Sequence, residues 1–395
     1  MRIALVTREF PPTRQAGGIA TYTEKTSRAL AGAGHEVHVF SEAHPLADRD
    51  EVHHGVTVHR LADPGVRPRE ARTVRRAIDV ARALRRHGRF DLVQACEWEG
   101  EAAFYSSFPQ APLITRLATP RYLVDRLNQT GGWNHRRSAI VRMMERWQAR
   151  HSAAVFSPSA ALAEVVARDW GLDRARIKVV PTGIDLPLEA DGPLPPGLGT
   201  DPYLLYFGRL ETRKGLKTWM DALPEVLRLN PGLDAVFAGD DLGTGRETFA
   251  EYGRGRCGDM AHRLRFLPRL PQSALFPLIR SARLVVLPSR WESLANACLE
   301  AMALGRAVVA TRGSGFAETI EDGVTGWLVP PDDAAALAGA VNGALADLAR
   351  LDAVGAAAGR RAHDFSLECM VDRLVDTYQE VVEDRPDYVS RATAT

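Results

Sequence analysis

RLVVLPSRWESLANACLEAMALG, residues 283–305, reads as a strand, a turn and a helix in that order. Leu284–Leu287 form a short unbroken apolar run, the pattern of a strand buried on both faces. Pro288 and Ser289 end it; NACLEAMA then carries helical spacing until Gly305 stops it. A strand that feeds a helix through a short turn is half of a β-α-β unit and predicts a parallel sheet. The turn carries Glu292 and the helix carries Glu300, eight residues on.

Outward from this stretch the same alternation recurs. YLLYFGRL, LDAVFAGD, LRFLPRL, AVVATR and GWLVPP read as strands, with LKTWMDALPEVLRL and QSALFPLIRSA as helices between them. The first half repeats the pattern with RIALVT, EVHVFS, FDLVQA, PLITRL, AVFSPS and IKVVPTGID as strands. LPLEADGPLPPGLGTDP, rich in Pro and Gly and without periodicity, reads as a linker. The expected organisation is a Rossmann-like domain at 1–186, a linker at 187–202 and a second Rossmann-like domain at 203–365. A C-terminal amphipathic helix at 366–395 is expected to pack back on the first domain, and an Ala-rich helix to run from Ala334 to about Leu348. In such sheets ligands bind beyond the carboxyl ends of the strands, where strand order reverses, so a cleft between the two domains is the expected site.

Composition narrows the class. The 395 residues are 45% hydrophobic and 25% charged, as in a globular protein of two domains. Cys96, Cys257, Cys298 and Cys369 are scattered and form no C-x-x-C or Cys/His metal spacing, which points to a reducing cytoplasm and no structural zinc. No apolar run reaches the ~18 residues a membrane span needs, and the chain opens on a strand pattern. Nine arginines lie between Arg67 and Arg89 against two acids. They read as a solvated helix face or as a platform for anionic lipid, with peripheral contact at the inner face of a membrane. Nucleic acid is not expected, since no recognition module or interleaved aromatics accompany them.

Arg209 and Lys214, in FGRLETRKG, leave the carboxyl end of the first strand of the second domain. A guanidinium and an ammonium there can grip adjacent phosphates. The backbone from Ser293 through Leu294 and Ala295 to Asn296 opens a helix, whose free N–H groups favour an anion. Cations with a helix end suit a diphosphate, and carboxylates suit sugar hydroxyls.

FGRLETRKG followed by LPSRWESLANACLEAMALGRAVVAT resembles retaining glycosyltransferases of family 4, whose hallmarks are an Arg and Lys pair and an E-x7-E motif. The likeness extends over essentially the whole chain, through AGGIATY, SPSAAL, VVPTGID, VFAGDD and the closing FSLE helix. It implies the α/β GT-B fold of two Rossmann-like domains and a nucleoside diphosphate sugar, commonly a UDP-sugar, as co-substrate. By position it implies that Gly208, Arg209 and Lys214 bind the diphosphate, Glu292 the sugar hydroxyls and Glu300 the ribose. Gly17 and Gly18 would form the first domain's loop near the phosphates. Phe266 to Pro271 would meet the base. The resemblance further implies retention by a front-face route with no carboxylate nucleophile, no metal and no other cofactor.

One position departs from the family. Many members carry a histidine in T-x-x-H-T-P, where this chain has TRLATP with Ala118; Gln94 and Cys96 likewise replace an H-x-H. A natural variant, an inactive descendant and a deliberate His-to-Ala change all account for Ala118. In CEWEGE, Glu97 and Glu99 read either as a polar loop leading into an acidic first turn or, with Arg121, Asp125 or Trp133, as an acceptor subsite. The acceptor is a sugar, a natural product or a lipid. Trp98, Trp133 and Trp291 offer faces for a sugar ring, while His135 and His151 read as structural or solvated. Two other functions stay open: a UDP-sugar epimerase on the same fold, and a catalytically silent sugar-nucleotide-binding protein.

Overall fold

The computed structural model describes residues 1–11, 17–42, 49–63, 65–67, 69–128, 139–186, 188–196, 198 and 201–384. Trp133 and His135 lie outside them. The chain divides into two units, residues 1–183 with 367 onward, and residues 184–366.

The first unit is built on an eight-stranded sheet. Its strands are β1 (Arg2–Val6), β2 (Glu36–Glu42), β3 (Arg49–His53), β4 (Val56–Leu61), β5 (Leu92–Cys96), β6 (Leu113–Arg116), β7 (Ala154–Ser157) and β8 (Ile177–Val179). Their order is β3-β4-β2-β1-β5-β6-β7-β8, with only β3 antiparallel. Strand order therefore reverses between β1 and β5, which are paired Ile3 to Leu92 through Val6 to Ala95. The β3–β4 hairpin is an element the apolar pattern did not reveal, since β3 is largely exposed and polar. Its turn is His54-Gly55, both at positive φ, the two-residue geometry that matches strand twist.

The second unit holds β9 (Tyr203–Phe207), β10 (Asp234–Ala238), β11 (Leu264–Leu267), β12 (Leu284–Leu287), β13 (Val308–Thr311) and β14 (Trp327–Val329). They are wholly parallel in the order β11-β10-β9-β12-β13-β14, the doubly wound arrangement, with its reversal between β9 and β12. Trp219, Phe237, Phe249 and Phe316 are fully buried in the core around this sheet.

The linker and the tail differ in part from the sequence reading. The stretch read as a free linker is packed down: Leu186, Leu188, Leu194 and Leu198 lie against the second unit's core, and Ala190 is buried. The chain passes between units where Ile184 bridges Ser366 and its N–H donates to Phe365 O. The Ala-rich helix expected from Ala334 to about Leu348 runs Ala334–Ala346; a further helix absent from the sequence reading, Leu348–Ala362, follows it after Asp347, which caps it through Arg350 N. Gly355 and Gly359 weaken helical propensity in the second. Packing explains Gly355, where a Cβ would come within 2.5 Å of Gly305 O. The last helix, Leu367–Glu383, packs in the first unit, where its Tyr378 hydroxyl donates to Gln94 Oε1 at 2.8 Å.

Candidate functional site

In the second unit the expected residues gather at the strand reversal. β9 ends at Phe207 and the chain turns at Gly208, φ +124°, whose N–H donates to Ala238 O. Gly239 beside it has φ +151°, and a Cβ there would lie 2.0 Å from Gly208 O, so the two turns pass at a distance only glycine permits. Arg209 then emerges with 57% of its side chain exposed and Nη2 3.3 Å from Glu211 Oε1. A 3-10 turn, Thr212–Lys214, closes on Gly215 at φ +68°, where a Cβ would sit 1.8 Å from Pro288 O.

That close pass joins the turn after β9 to the end of β12. Arg290 N donates to Arg213 O at 2.9 Å, and the Lys214 ammonium donates to Glu292 Oε1. Ser289 Oγ donates to the same oxygen at 2.7 Å, and Arg213 Nη1 lies 3.8 Å from Oε2. Burial alone would raise the Glu292 carboxyl's pKa, but Lys214 and then Arg213 hold it below the usual carboxylate value. Burial pulls the Lys214 ammonium down, with Glu292 opposing it. Both partners are thus desolvated at the strand reversal.

Beyond Glu292 the chain is pinned by Gly315, whose N–H donates to Glu292 O and whose Cβ would come within 2.4 Å of Ser293 O. The helix Asn296–Ala303 starts after Ala295 with no side-chain cap. Ser293 and Asn296 are partly exposed, Leu294 and Ala295 buried, and Glu300 is half-buried in that helix. Trp291, expected as a stacking face, is buried at 9% exposure. Phe266 and the residues after it leave the same end of the sheet; its ring stacks on Phe237 at 4.9 Å, with the Arg254 guanidinium 5.3 Å from the ring centre.

The first unit places its residues at its own reversal. Gly17 and Gly18 open the helix Gly18–Gly32 after β1. Gly17 has φ −94°, and a Cβ on either glycine would approach no atom of the described residues closer than 4.0 Å. Neither positive φ nor packing among the described residues therefore dictates glycine here. Glu9 accepts from the Gly17 backbone, and burial raises its pKa.

CEWEGE, read as a polar loop, is folded inward. Glu97 is fully buried after β5, and both of its oxygens accept from Ala118 N, at 2.9 and 2.8 Å. Burial lifts its carboxyl to about 7, against the bonds from Cys96 and Ala118. Glu99, 3% exposed and at φ +60°, ion-pairs with Arg8; Glu101 pairs with Arg76. Arg121 is half-buried, its Nε donating to Asp125 Oδ1 at 3.0 Å and its guanidinium 5.7 Å from the Trp98 ring centre. Of the described residues expected at an acceptor subsite, Glu97 and Glu99 are thus spent on protein partners, while Arg121 keeps exposed surface.

Sequence reasoning passed over the residues that hold these loops. Glu145 accepts from Glu99 N and Arg121 N, while Gln148 accepts from Ala102 N and donates to Cys96 O. Both lie in the helix Ala139–His151 among Val141, Met144 and Ala149, so polar residues on an apolar stripe were the available signal. Arg213, inside FGRLETRKG, was passed over in the same way.

Comparison with known proteins follows this geometry. The family model described as "Glycosyltransferase Family 4" matches residues 16–187, and "Glycosyl transferases group 1" matches 201–347. A glycogen synthase of Mycobacterium tuberculosis is 30% identical, covering 96% of this chain and 94% of its own length. A D-inositol 3-phosphate glycosyltransferase of Geodermatophilus obscurus is also 30% identical, over 97% and 89%. The structure of sucrose-phosphate synthase from Thermosynechococcus elongatus superposes with a TM-score of 0.79 at 24% identity, over 97% of this chain and 99% of that one, a likeness of GT-B fold.

Proposed function

The chain belongs to glycosyltransferase family 4, and from that premise we propose that it is a retaining hexosyltransferase moving sugar from a UDP-sugar to an acceptor hydroxyl without a metal ion. The observation that carries this reading is the buried Lys214–Glu292 pair beside exposed Arg209 at the β9/β12 reversal. Arg209 and Lys214 supply the two cations that a leaving diphosphate needs, with the uncapped start of Asn296–Ala303 as the third positive element. Glu292 offers its carboxylate to sugar hydroxyls, and Glu300 is assigned to the ribose. Lys214, Arg213 and Ser289 all stabilise Glu292 as an anion, which makes it a poor nucleophile and favours a front-face route.

Ala118 is fixed through its backbone N–H, so its side chain takes no part in that anchoring. The test is calorimetric titration with UDP, GDP, ADP and their sugar conjugates, with donor hydrolysis followed in the same samples. Tight binding of the UDP series alone supports the proposal. Binding of none removes the assigned clamp, and sugar isomerisation without an acceptor favours the epimerase reading.

A lipid-borne acceptor is supported by one surface of the first unit. Phe104, Phe108, Met143 and Trp147 are exposed close to the arginine-rich helix Arg69–Arg86, where Arg85 Nη2 donates to Phe108 O. No described helix is long and apolar enough to cross a membrane, so the contact is peripheral. Salt-sensitive sedimentation with phosphatidylglycerol vesicles, and none with phosphatidylcholine, is expected. Equal indifference to both removes the membrane surface from the reading.

A further inference from the structure

Four titratable side chains line up across the β3 edge of the first unit. Asp50 on β3 is paired with His59 on β4, and His38 stands on neighbouring β2. Asp50 Oδ1 is 2.8 Å from His59 Nδ1, His59 Nε2 is 2.9 Å from His38 Nδ1, and His38 Nε2 is 2.9 Å from Glu36 Oε1. The two rings are within 7° of coplanar, as in-plane hydrogen bonding requires.

Counting protons exposes a deficit. Each of the three contacts needs one proton, and two neutral imidazoles carry two. Glu36 supplies none, because bonds from His38 and Arg2 hold its carboxyl below the usual value. If His59 and His38 donate along the chain towards Glu36, the His59 Nδ1 lone pair faces the Asp50 carboxylate. A third proton would make one of the two buried imidazoles, His59 or His38, a cation. His87 repeats the pattern: its Nδ1–H donates to Ala83 O at 2.9 Å, so its Nε2 lone pair faces Asp50 Oδ2 across 4.0 Å. All three ligand atoms lie within 4.8 Å of one another, beside an open cavity of about 450 Å³.

We propose that Asp50, His59 and His87 bind one divalent transition-metal ion of the zinc class, with His38 and Glu36 orienting His59 from behind. A cation among the three satisfies both lone pairs and the carboxylate at once. Tetrahedral zinc spaces its donor atoms about 3.3 Å apart, so the 2.8 Å gap opens and the 4.0 Å gap closes. Asp50, 62% exposed on an edge strand, makes that adjustment by a small swing. Arg60 and Arg49 nearby pair with Glu51 at 2.6 and 3.4 Å, which tempers their repulsion of the ion. His87 precedes the amino end of β5, so the ion ties the hairpin to the end of Arg69–Arg86 and stands apart from glycosyl transfer. Cysteine and histidine spacing gave no hint of it, because residues 50, 59 and 87 meet only through the sheet.

The test is calorimetry of Zn²⁺ alone into chelator-stripped protein, with thermal melts and the visible spectrum of the Co²⁺ form. One equivalent is expected to bind, raise Tm by several degrees and give the intense Co²⁺ bands of a four-coordinate site. D50N and H87Q, both at partly solvent-accessible positions, should each weaken binding at least tenfold and abolish the Tm rise, while H54Q leaves both intact. Absence of saturable binding, or binding undiminished in both D50N and H87Q, overturns the proposal.

Discussion

Lys214 and Glu292, 78 residues apart in the chain, meet in a buried ion pair because Gly215 lets the turn after β9 run against Pro288. K214M leaves Glu292 desolvated with only Arg213 at 3.8 Å as its cation. One fifth of the Lys214 side chain is exposed, so the expected loss is about 1–3 kcal/mol, below that of a fully buried pair. Urea melts measure it, and UDP affinity in the same variant should fall at least tenfold.

E292Q separates nucleotide from sugar. If Glu292 holds sugar hydroxyls, UDP affinity should stay within about threefold while kcat/KM for transfer falls by about two orders of magnitude. Equal losses for UDP and UDP-sugar would move Glu292 from the sugar to the phosphates.

G215A tests the turn that creates the pair. The position has φ +68° and no room for a Cβ beside Pro288 O. The variant should melt several degrees lower and lose donor binding, whereas G18A, where no atom of the described residues lies within 4 Å, should melt as the parent does. Thermal melts and calorimetry on the two variants check this contrast.

Glu97 predicts a pH dependence. Its folded carboxyl sits near 7 against an unfolded value of 4.5, so the folded state binds more protons between them. Stability from this group therefore falls as pH rises from about 4.5 to 7, by up to about 3 kcal/mol. E97Q should flatten that part of the profile, as urea melts of both proteins from pH 5 to 7.5 will show.

A118H addresses the chemistry. Should the family's imidazole be the missing catalytic group, turnover of the variant rises at least tenfold at unchanged donor affinity. Turnover no faster than the parent's would remove the idea of a substituted histidine.

Much of this was legible beforehand, for identifiable reasons. The parallel strands are continuous apolar runs, and the residues bearing chemistry follow β1, β5, β9 and β12, the strands flanking each reversal. What stayed hidden depends on partners distant in sequence. Nothing local marks Glu97 as buried, since its environment is made by β6, the loop after it and Ala118. β3 hid because an edge strand with one polar face lacks an apolar signal, and Leu348–Ala362 hid because Gly355, placed there by close packing, and Gly359 weaken a helical pattern.

Glu145 and Gln148, one helical turn apart, grip the loops that follow β5 and β6. Those loops are consequently not independent variables. Insertions or exchanges confined to one of them pull against an anchor shared with the other, so changes in the two loops should come in coupled steps. An engineer rebuilding either loop would graft both together with Ala139–His151 as a single cassette.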